Sequence, residues 1–283
     1  MLHSAPPASL TTADGLRLHL RHWPCETARG TVLLVHGLGE HAGRYGHVAA
    51  ALAQAGFETV AHDQRGHGRS EGARGDIARP HALLDDLARV IDALRARRDG
   101  PLLLLGHSLG GAVAARFVAG ALEGPGPAWA RKVEALVLSS PALAAELRPT
   151  QRLLLAFGSR FAPHLAANNG LDPAWVSRDP AVVAAYRADA LVHDRITPML
   201  ARFTLDAGER VRADAARWRV PTLLMWAGAD RCVRPAGSAA FAAAAPLGVV
   251  AARRFDGLAH ELFNEPERAR VFETLADWLA RQR

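Results

Sequence analysis

LLLLGHSLGG, residues 102–111, is the stretch that decides the fold. Leu102 to Leu105 are side chains that leave water, whereas Gly106, Gly110 and Gly111 lose backbone freedom on folding. A core strand can end in any turn. This one ends in Gly-x-Ser-x-Gly, with His107 and Leu109 as the variable positions. After a buried apolar strand and before a helix, that pattern is the context of a strained strand-to-helix turn that exposes a serine hydroxyl. Ser108 is therefore a candidate nucleophile. The bland alternative is a turn or N-cap serine.

Outward from this stretch, short apolar runs alternate with helical periodicity. Residues 31–35, 57–61, 102–105, 133–138, 221–226 and 249–255 read as strands. The middle ones are apolar on both faces, as in a parallel sheet covered by helices. Residues 46–54, 81–97, 110–122 and 268–281 read as helices. In the second of these, Leu83, Leu84, Leu87, Val90, Ile91 and Leu94 recur at three- and four-residue steps. Near the start, Asp14-Gly15 supplies a turn and 16–21 alternate leucine with polar residues, which predicts a hairpin. Strand, helix, strand, repeated, predicts an α/β fold with a mostly parallel central sheet flanked by helices. The rhythm breaks between Pro141 and about Ala215, where no clear strand is visible. The expected division is a core of 1–141 and 216–283 with a helical cap inserted at 142–215. Two ordinary crossover helices with long loops are the alternative.

A serine hydroxyl needs a base, and the base needs an orienting carboxylate. In this kind of fold the chain order is Ser, then Asp or Glu, then His. Asp230 follows the strand 221–226 through Ala227-Gly228-Ala229, and His260 follows 249–255 through Asp256-Gly257-Leu258-Ala259. Both fall in loops after the carboxyl ends of strands, where open α/β sheets bind ligands. Asp256 is a weaker rival acid, and Asp206 and Asp214 lie in or beside the cap. Among thirteen histidines, His36 and His107 are assigned to packing and hydrogen bonding, and His62, His67, His81 and His193 to the surface or to loop ordering.

A tetrahedral intermediate also needs N–H donors. One is expected from Leu109, after the nucleophile, and one from Leu38 in His36-Gly37-Leu38-Gly39. A plain glycine turn is the other reading of that loop. HDQRGHGRSEG, 62–72, lacks the spacing of a nucleotide loop, and Asp63, Arg65 and Arg69 are expected to pair with one another there. No spacing of Cys, His and carboxylates suggests a metal site, and no cofactor is expected.

Net charge is +6, nearly all from arginine, with Lys132 the only lysine. The charges are scattered, without a basic stripe interleaved with aromatics, which argues against nucleic acid. A weak attraction to anionic membrane surfaces stays open. Two cysteines, Cys25 and Cys232, make no disulfide framework. The first residues show no apolar leader core, and no segment reaches the ~18 apolar residues of a membrane span. A soluble, cytoplasmic protein is the expectation.

Five motifs in order, HGLGEHAGRY (36–45), HDQRGHGRSEG (62–72), GHSLGG (106–111), AGADRCV (227–233) and GLAHELFNE (257–265), resemble the monoacylglycerol lipase branch of the α/β-hydrolase superfamily. That branch is grouped with lysophospholipases and serine aminopeptidases, and the likeness runs from about Thr11 to Leu279. The resemblance implies an α/β-hydrolase fold with Ser108, Asp230 and His260 as the triad and Leu38 and Leu109 as the oxyanion hole. It implies that Glu40 and Arg44 lie beside the glycerol end of the substrate pocket, or brace that loop. It implies a cap that forms an apolar funnel for the acyl chain and touches membranes transiently, a role that suits 153–161. The expected partner is a small acyl ester, a lipid. The expected reaction is hydrolysis of monoacylglycerol to fatty acid and glycerol through an acyl-enzyme. Lysophospholipase or medium-chain carboxylesterase activity comes next, then acyl transfer, aminopeptidase activity or a non-catalytic receptor. Ser108 argues against chemistry that needs a carboxylate nucleophile.

Overall fold

The computed structural model describes residues 5–145 and 147–282. The chain opens with β1 (Ser9–Thr11) and β2 (Arg17–Trp23), paired antiparallel with Leu10 opposite Leu18. There follow β3 (Gly30–Val35), α1 (Gly46–Gln54), β4 (Phe57–His62), α2 (Ala82–Arg97), β5 (Leu102–His107), α3 (Ser108–Gly120) and β6 (Ala135–Ser139). An inserted stretch holds α4 (Pro149–Phe161), β7 (Ala167–Asn168), α5 (Pro180–Ala188), β8 (Arg195–Ile196) and α6 (Pro198–Ala213). The chain returns through β9 (Thr222–Ala227), α7 (Pro235–Ala244), β10 (Val250–Phe255) and α8 (Arg268–Ala280).

The main sheet has eight strands in the order β1-β2-β4-β3-β5-β6-β9-β10. From β4 to β10 neighbours run parallel, while β2 is antiparallel to both β1 and β4. The expected mostly parallel α/β sheet is thus what forms. The leucine run of β5 now has a physical account. Successive side chains of a strand point to opposite faces. Leu102 and Leu104 pack with Leu84, Leu87 and Ile91 of α2 and Phe117 of α3. Leu103 and Leu105 pack on the other face with Val48 and Leu52 of α1 and Leu275 and Trp278 of α8. A strand buried on both faces has no polar side, and each fully buried leucine stabilises the fold by about 1.5–3 kcal/mol. At the other extreme, edge strand β10 exposes Ala251 to Arg254. Its arginines discourage pairing with another chain.

α3 begins at Ser108, two residues ahead of the expected start. Ser108 takes a positive φ of 53°. The glycines around it serve proximity: a Cβ on Gly110 would lie 2.1 Å from the Val35 carbonyl oxygen, and one on Gly106 2.5 Å from that of Gly110. Strand and helix therefore meet backbone to backbone at the turn.

The structure corrects three expectations. The inserted stretch does contain a strand pair, β7 with β8, joined at Ala167–Ile196 and Asn168–Arg195. Two residues per strand are too few to show alternation. α7 lies where no helix was read, because its alanine-rich sequence carries almost no polar periodicity. In 62–72 the side chains of Asp63, Arg65 and Arg69 do not form ion pairs with one another. Arg65 is buried and forks between Asp86 (Nε–Oδ2 2.6 Å) and Asp14 (Nη1–Oδ2 2.8 Å), tying the turn to α2 and the hairpin. Asp63 instead accepts the N–H groups of Ala42 and Arg69, both at 2.8 Å. A buried arginine has five donors to satisfy, and one neighbouring carboxylate is not enough. His62 and His67, expected at the surface or in loop ordering, are both buried here, and His67 Nδ1 donates to the Arg65 carbonyl within the turn (2.9 Å).

Within the inserted stretch, α6 buries Leu200, Phe203, Ala207 and Val211 in the same cluster as α3, whereas α4 and α5 bury no residue fully. Among the described residues, no helix is long and apolar enough to cross a membrane.

Candidate active site

The parallel topology sends the carboxyl ends of β3, β5, β9 and β10 to one edge, and each contributes a loop there. Ser108 stands directly after β5. Its carbonyl accepts the Ala142 N–H (2.9 Å), so the segment after β6 holds the strained turn from behind. Asp230 lies after β9 and His260 after β10. The structure brings these three together: His260 Nδ1 lies 2.7 Å from Asp230 Oδ2, and Nε2 lies 2.8 Å from Ser108 Oγ. Asp230 Oδ1 accepts the N–H groups of Cys232 (2.8 Å) and Val233 (3.0 Å), which fixes the carboxylate toward the ring. With Nδ1–H donating to Asp230, Nε2 is left to accept the serine proton.

Burial by itself would drive His260 toward its neutral form, but the Asp230 carboxylate outweighs it and raises the imidazole above the ordinary histidine value, with Glu261 and Glu40 adding to the effect. Burial also works against the charge on Asp230, yet His260 and the two N–H donors hold it below the usual carboxylate range. The His107 ring lies 4.8 Å from the His260 ring, tilted by 53°, and burial, with His260 beside it, pulls its pKa down to about 4. Of these two rings, His260 is the stronger base.

The rival carboxylates lie elsewhere. Asp256 is exposed and pairs with Arg254 (2.7 Å), Asp206 pairs with Arg202 (2.8 Å), and Asp214 is held by Arg210 and Arg217.

Leu109 is the second residue of α3, at a helix end where N–H groups lack intrahelical partners. Leu38 lies in the loop after β3, facing the same cavity as Ser108 and His260. Among the described residues, neither N–H donates to a protein acceptor. The Leu38 loop is braced from below. Glu40 accepts the Gly37 N–H, the Tyr45 hydroxyl and Arg44 Nη1, each at 2.6 Å. Burial opposes the charge on Glu40, but the Arg44 guanidinium and the adjacent histidines hold its pKa at about 2. His36 donates from Nδ1 to the Gly37 carbonyl (2.8 Å) and accepts the Gln64 N–H at Nε2 (2.9 Å). His193, expected at the surface or in loop ordering, holds the loop and lines the cavity; its backbone N–H donates to Gly39 O (2.9 Å).

The cavity measures about 330 Å³. Ser108, His260 and Leu38 form one side, and Leu171, Val176 and Tyr186 of the inserted stretch form the other. Two polar residues of the site escaped the sequence reading. Glu261, next to His260, takes both guanidinium nitrogens of Arg44 (2.6 and 2.8 Å), and Tyr186 lies against Arg44 (4.8 Å to the ring centre). The signal for Glu261 was its place in GLAHELFNE; nothing local marked Tyr186. Asp230, Cys232 and His260 bring possible metal-ligand atoms within 4.8 Å of one another. That donor set fits a metal poorly, because Asp230 and His260 already bond each other and burial, with the Asp230 charge, keeps the Cys232 thiol protonated.

α4 carries an apolar face that none of the described residues covers: Leu153, Leu154, Phe157 and Phe161 are 62–73% exposed. The same helix and its cap bear Arg148, Arg152 and Arg160.

Comparison with known proteins gives a consistent picture. The Hydrolase_4 family, described as serine aminopeptidase, S33, matches residues 26–267. A monoacylglycerol lipase of Mycolicibacterium smegmatis is 34% identical over 278 residues, covering 96% of this chain and 95% of its own. Phospholipase YtpA of Bacillus subtilis is 30% identical over 254 residues, covering 89% and 95%. The crystal structure of Paleococcus ferrophilus monoacylglycerol lipase superposes with a TM-score of 0.82 at 34% identity, covering 94% of this chain and 99% of that one.

Proposed function

This chain is a serine hydrolase of the Hydrolase_4 family (serine aminopeptidase, S33) in the α/β-hydrolase superfamily, and from that premise we propose that it hydrolyses monoacylglycerol to fatty acid and glycerol through an acyl-enzyme on Ser108. The observation that carries the reading is the unbroken chain from Ser108 Oγ to His260 (2.8 Å) to Asp230 (2.7 Å) on the wall of a cavity.

Ser108 attacks the acyl carbon while His260 Nε2 takes its proton. Asp230 keeps the ring in the productive tautomer and stabilises the imidazolium. The N–H groups of Leu38 and Leu109 bind the oxyanion as charge develops on it. Collapse of the intermediate expels glycerol, which receives the proton from His260. Water then attacks the acyl-enzyme with His260 again as base, releasing fatty acid and restoring Ser108.

Residues 142–215 act as the cap. α6 anchors it to the core, and the segments around Leu171, Val176 and Tyr186 close over the acyl site. The exposed apolar face of α4 rests on a lipid surface, with its arginines toward anionic head groups. The likeness to phospholipase YtpA favours lysophospholipid as the second substrate. Side-by-side turnover of a monoacylglycerol, lysophosphatidylcholine and an aminoacyl amide tests the assignment. Monoacylglycerol is expected to lead; preference for the amide overturns the lipase reading.

A further inference from the structure

One buried charge cluster beside the site is not used by the steps above. Arg44 Nη1 reaches Glu40 Oε2 and Glu261 Oε1, both at 2.6 Å, and Nη2 reaches Glu261 Oε2 at 2.8 Å. The three side chains are 3%, 12% and 7% exposed for Glu40, Arg44 and Glu261, so water screens them little. Two carboxylates and one guanidinium leave one negative charge in excess. Burying an unbalanced charge is destabilising unless a partner appears. Glu261 cannot turn away to find one in solvent, because Arg44 holds both its oxygens and Asn264 Nδ2 holds one again (2.7 Å). Its backbone N–H is fixed as well, to the Val176 carbonyl of the inserted stretch (2.8 Å). It is the residue after His260 in the chain. The positive group able to balance it is the imidazolium that forms when His260 takes the serine proton.

We propose that Glu261 is a positioning residue for His260: a second carboxylate that favours the imidazolium alongside Asp230 and, through Arg44 and Glu40, ties the histidine loop to the loop carrying Leu38. This rests on the reading of His260 as the base. The groups facing His260 come from four elements. Asp230 and Cys232 lie after β9, Ser108 and His107 at the turn between β5 and α3, Glu40 and Arg44 after β3, and Glu261 after β10. Burial and nearby charge keep His107 and the Cys232 thiol neutral, so the field is set by the carboxylates and the Arg44 guanidinium, with the negative charge in excess. Removing one negative charge makes the imidazolium less favourable. His260 then titrates at lower pH, and the acid limb of kcat/KM moves with it.

The test is the pH profile of Glu261→Gln and Glu261→Asp on a soluble short-chain ester. For Glu261→Gln the acid limb is expected to move down by roughly one pH unit, with kcat roughly tenfold lower and KM unchanged. Glu261→Asp, which keeps the charge, is expected to bring the limb back. An acid limb that stays in place in Glu261→Gln overturns the inference, whatever happens to the rate, because loosened packing lowers activity without moving that limb acidward. Should Glu261→Gln fail to fold, Glu40→Gln removes the same excess negative charge from the other end of the Glu40–Arg44–Glu261 cluster, and an unmoved limb there is equally fatal. His260→Asn separates the two layers of argument. Retained turnover in that variant rejects His260 as the base, whereas loss of turnover with an unmoved limb in Glu261→Gln rejects only the role given to Glu261.

Discussion

Gly110 approaches Val35 so closely that a methyl group on its Cα would lie 2.1 Å from the Val35 carbonyl oxygen. The first turn of α3 is thereby seated against the end of β3, and the Ser108 hydroxyl is aimed by that seating. Gly110→Ala is expected to push the helix off the strand. Overpacking of this kind destabilises by about 1–3 kcal/mol, which for a chain of this size lowers Tm by several degrees. The effect on rate is expected to be larger, because a misplacement of about 1 Å at reacting groups costs roughly 100-fold. Calorimetry with steady-state kinetics checks this; a fully active variant with an unchanged Tm would show that the close approach does not aim the serine.

Much of this architecture was legible because a few physical demands leave strong marks. A strand buried on both faces must be apolar throughout, and Leu102 to Leu105 are. The turn after it must be small on both flanks, and Gly106 and Gly110 are. What stayed hidden was decided by distant partners. Arg65 reads as a turn residue until the fold places Asp14 and Asp86 around it. Glu261 reads as a neighbour of His260, and only tertiary structure shows Arg44 clamping it. Tyr186 comes from α5 of the inserted stretch, and its place beside Arg44 is set by tertiary structure, which local periodicity does not encode. The same holds for β7 and β8, two residues each, whose pairing is fixed by the loops on either side.

The identity of the acid rests on geometry that can be challenged directly. Asp230 lies 2.7 Å from His260, while Asp256, four residues before His260, pairs with Arg254 in solvent. Asp230→Asn is expected to lower kcat by roughly 10,000-fold, as loss of the orienting carboxylate does in a serine triad, with binding little changed. Asp256→Asn is expected to leave kcat within twofold, about the effect of an exposed surface change. A fluorophosphonate probe should label both variants' parent and fail on Ser108→Ala. The reverse ranking of the two Asp variants would reassign the acid.

The lipid contact proposed for the exposed face of α4 can be tested apart from the chemistry. Leu154 and Phe157 are 69% and 62% exposed and bury little against the rest of the chain. Replacing both with Asp is therefore expected to leave turnover of a soluble short-chain ester within twofold, with little change in Tm. Binding to vesicles that contain anionic lipid is expected to fall at least tenfold, since two apolar anchors are lost and two negative charges are added. Vesicle sedimentation reads the outcome directly. Equal binding by both proteins would mean that α4 does not face the lipid.

Activity and the stability held in the His260–Asp230 pair are expected to run in opposite directions with pH. The folded pKa of His260 is raised above its ordinary 6.5, Asp230 being the main source of the rise against burial. A raised histidine contributes stability that is fully present below its unfolded value and is lost as pH rises through the folded one. The base, by contrast, works only when neutral, so kcat/KM rises across that same window. Asp230, whose pKa is lowered, remains charged throughout and gives up its share of stability only in strong acid, as pH falls through its folded value. Two measurements check the claim: Tm of the native chain minus Tm of His260→Asn, and kcat/KM of the native chain, both at several values between roughly pH 6 and 9. The Tm difference is expected to shrink with rising pH while kcat/KM grows. A Tm difference that grows with pH would mean that His260 is destabilised as an imidazolium in the folded protein, and that Asp230 does not outweigh its burial.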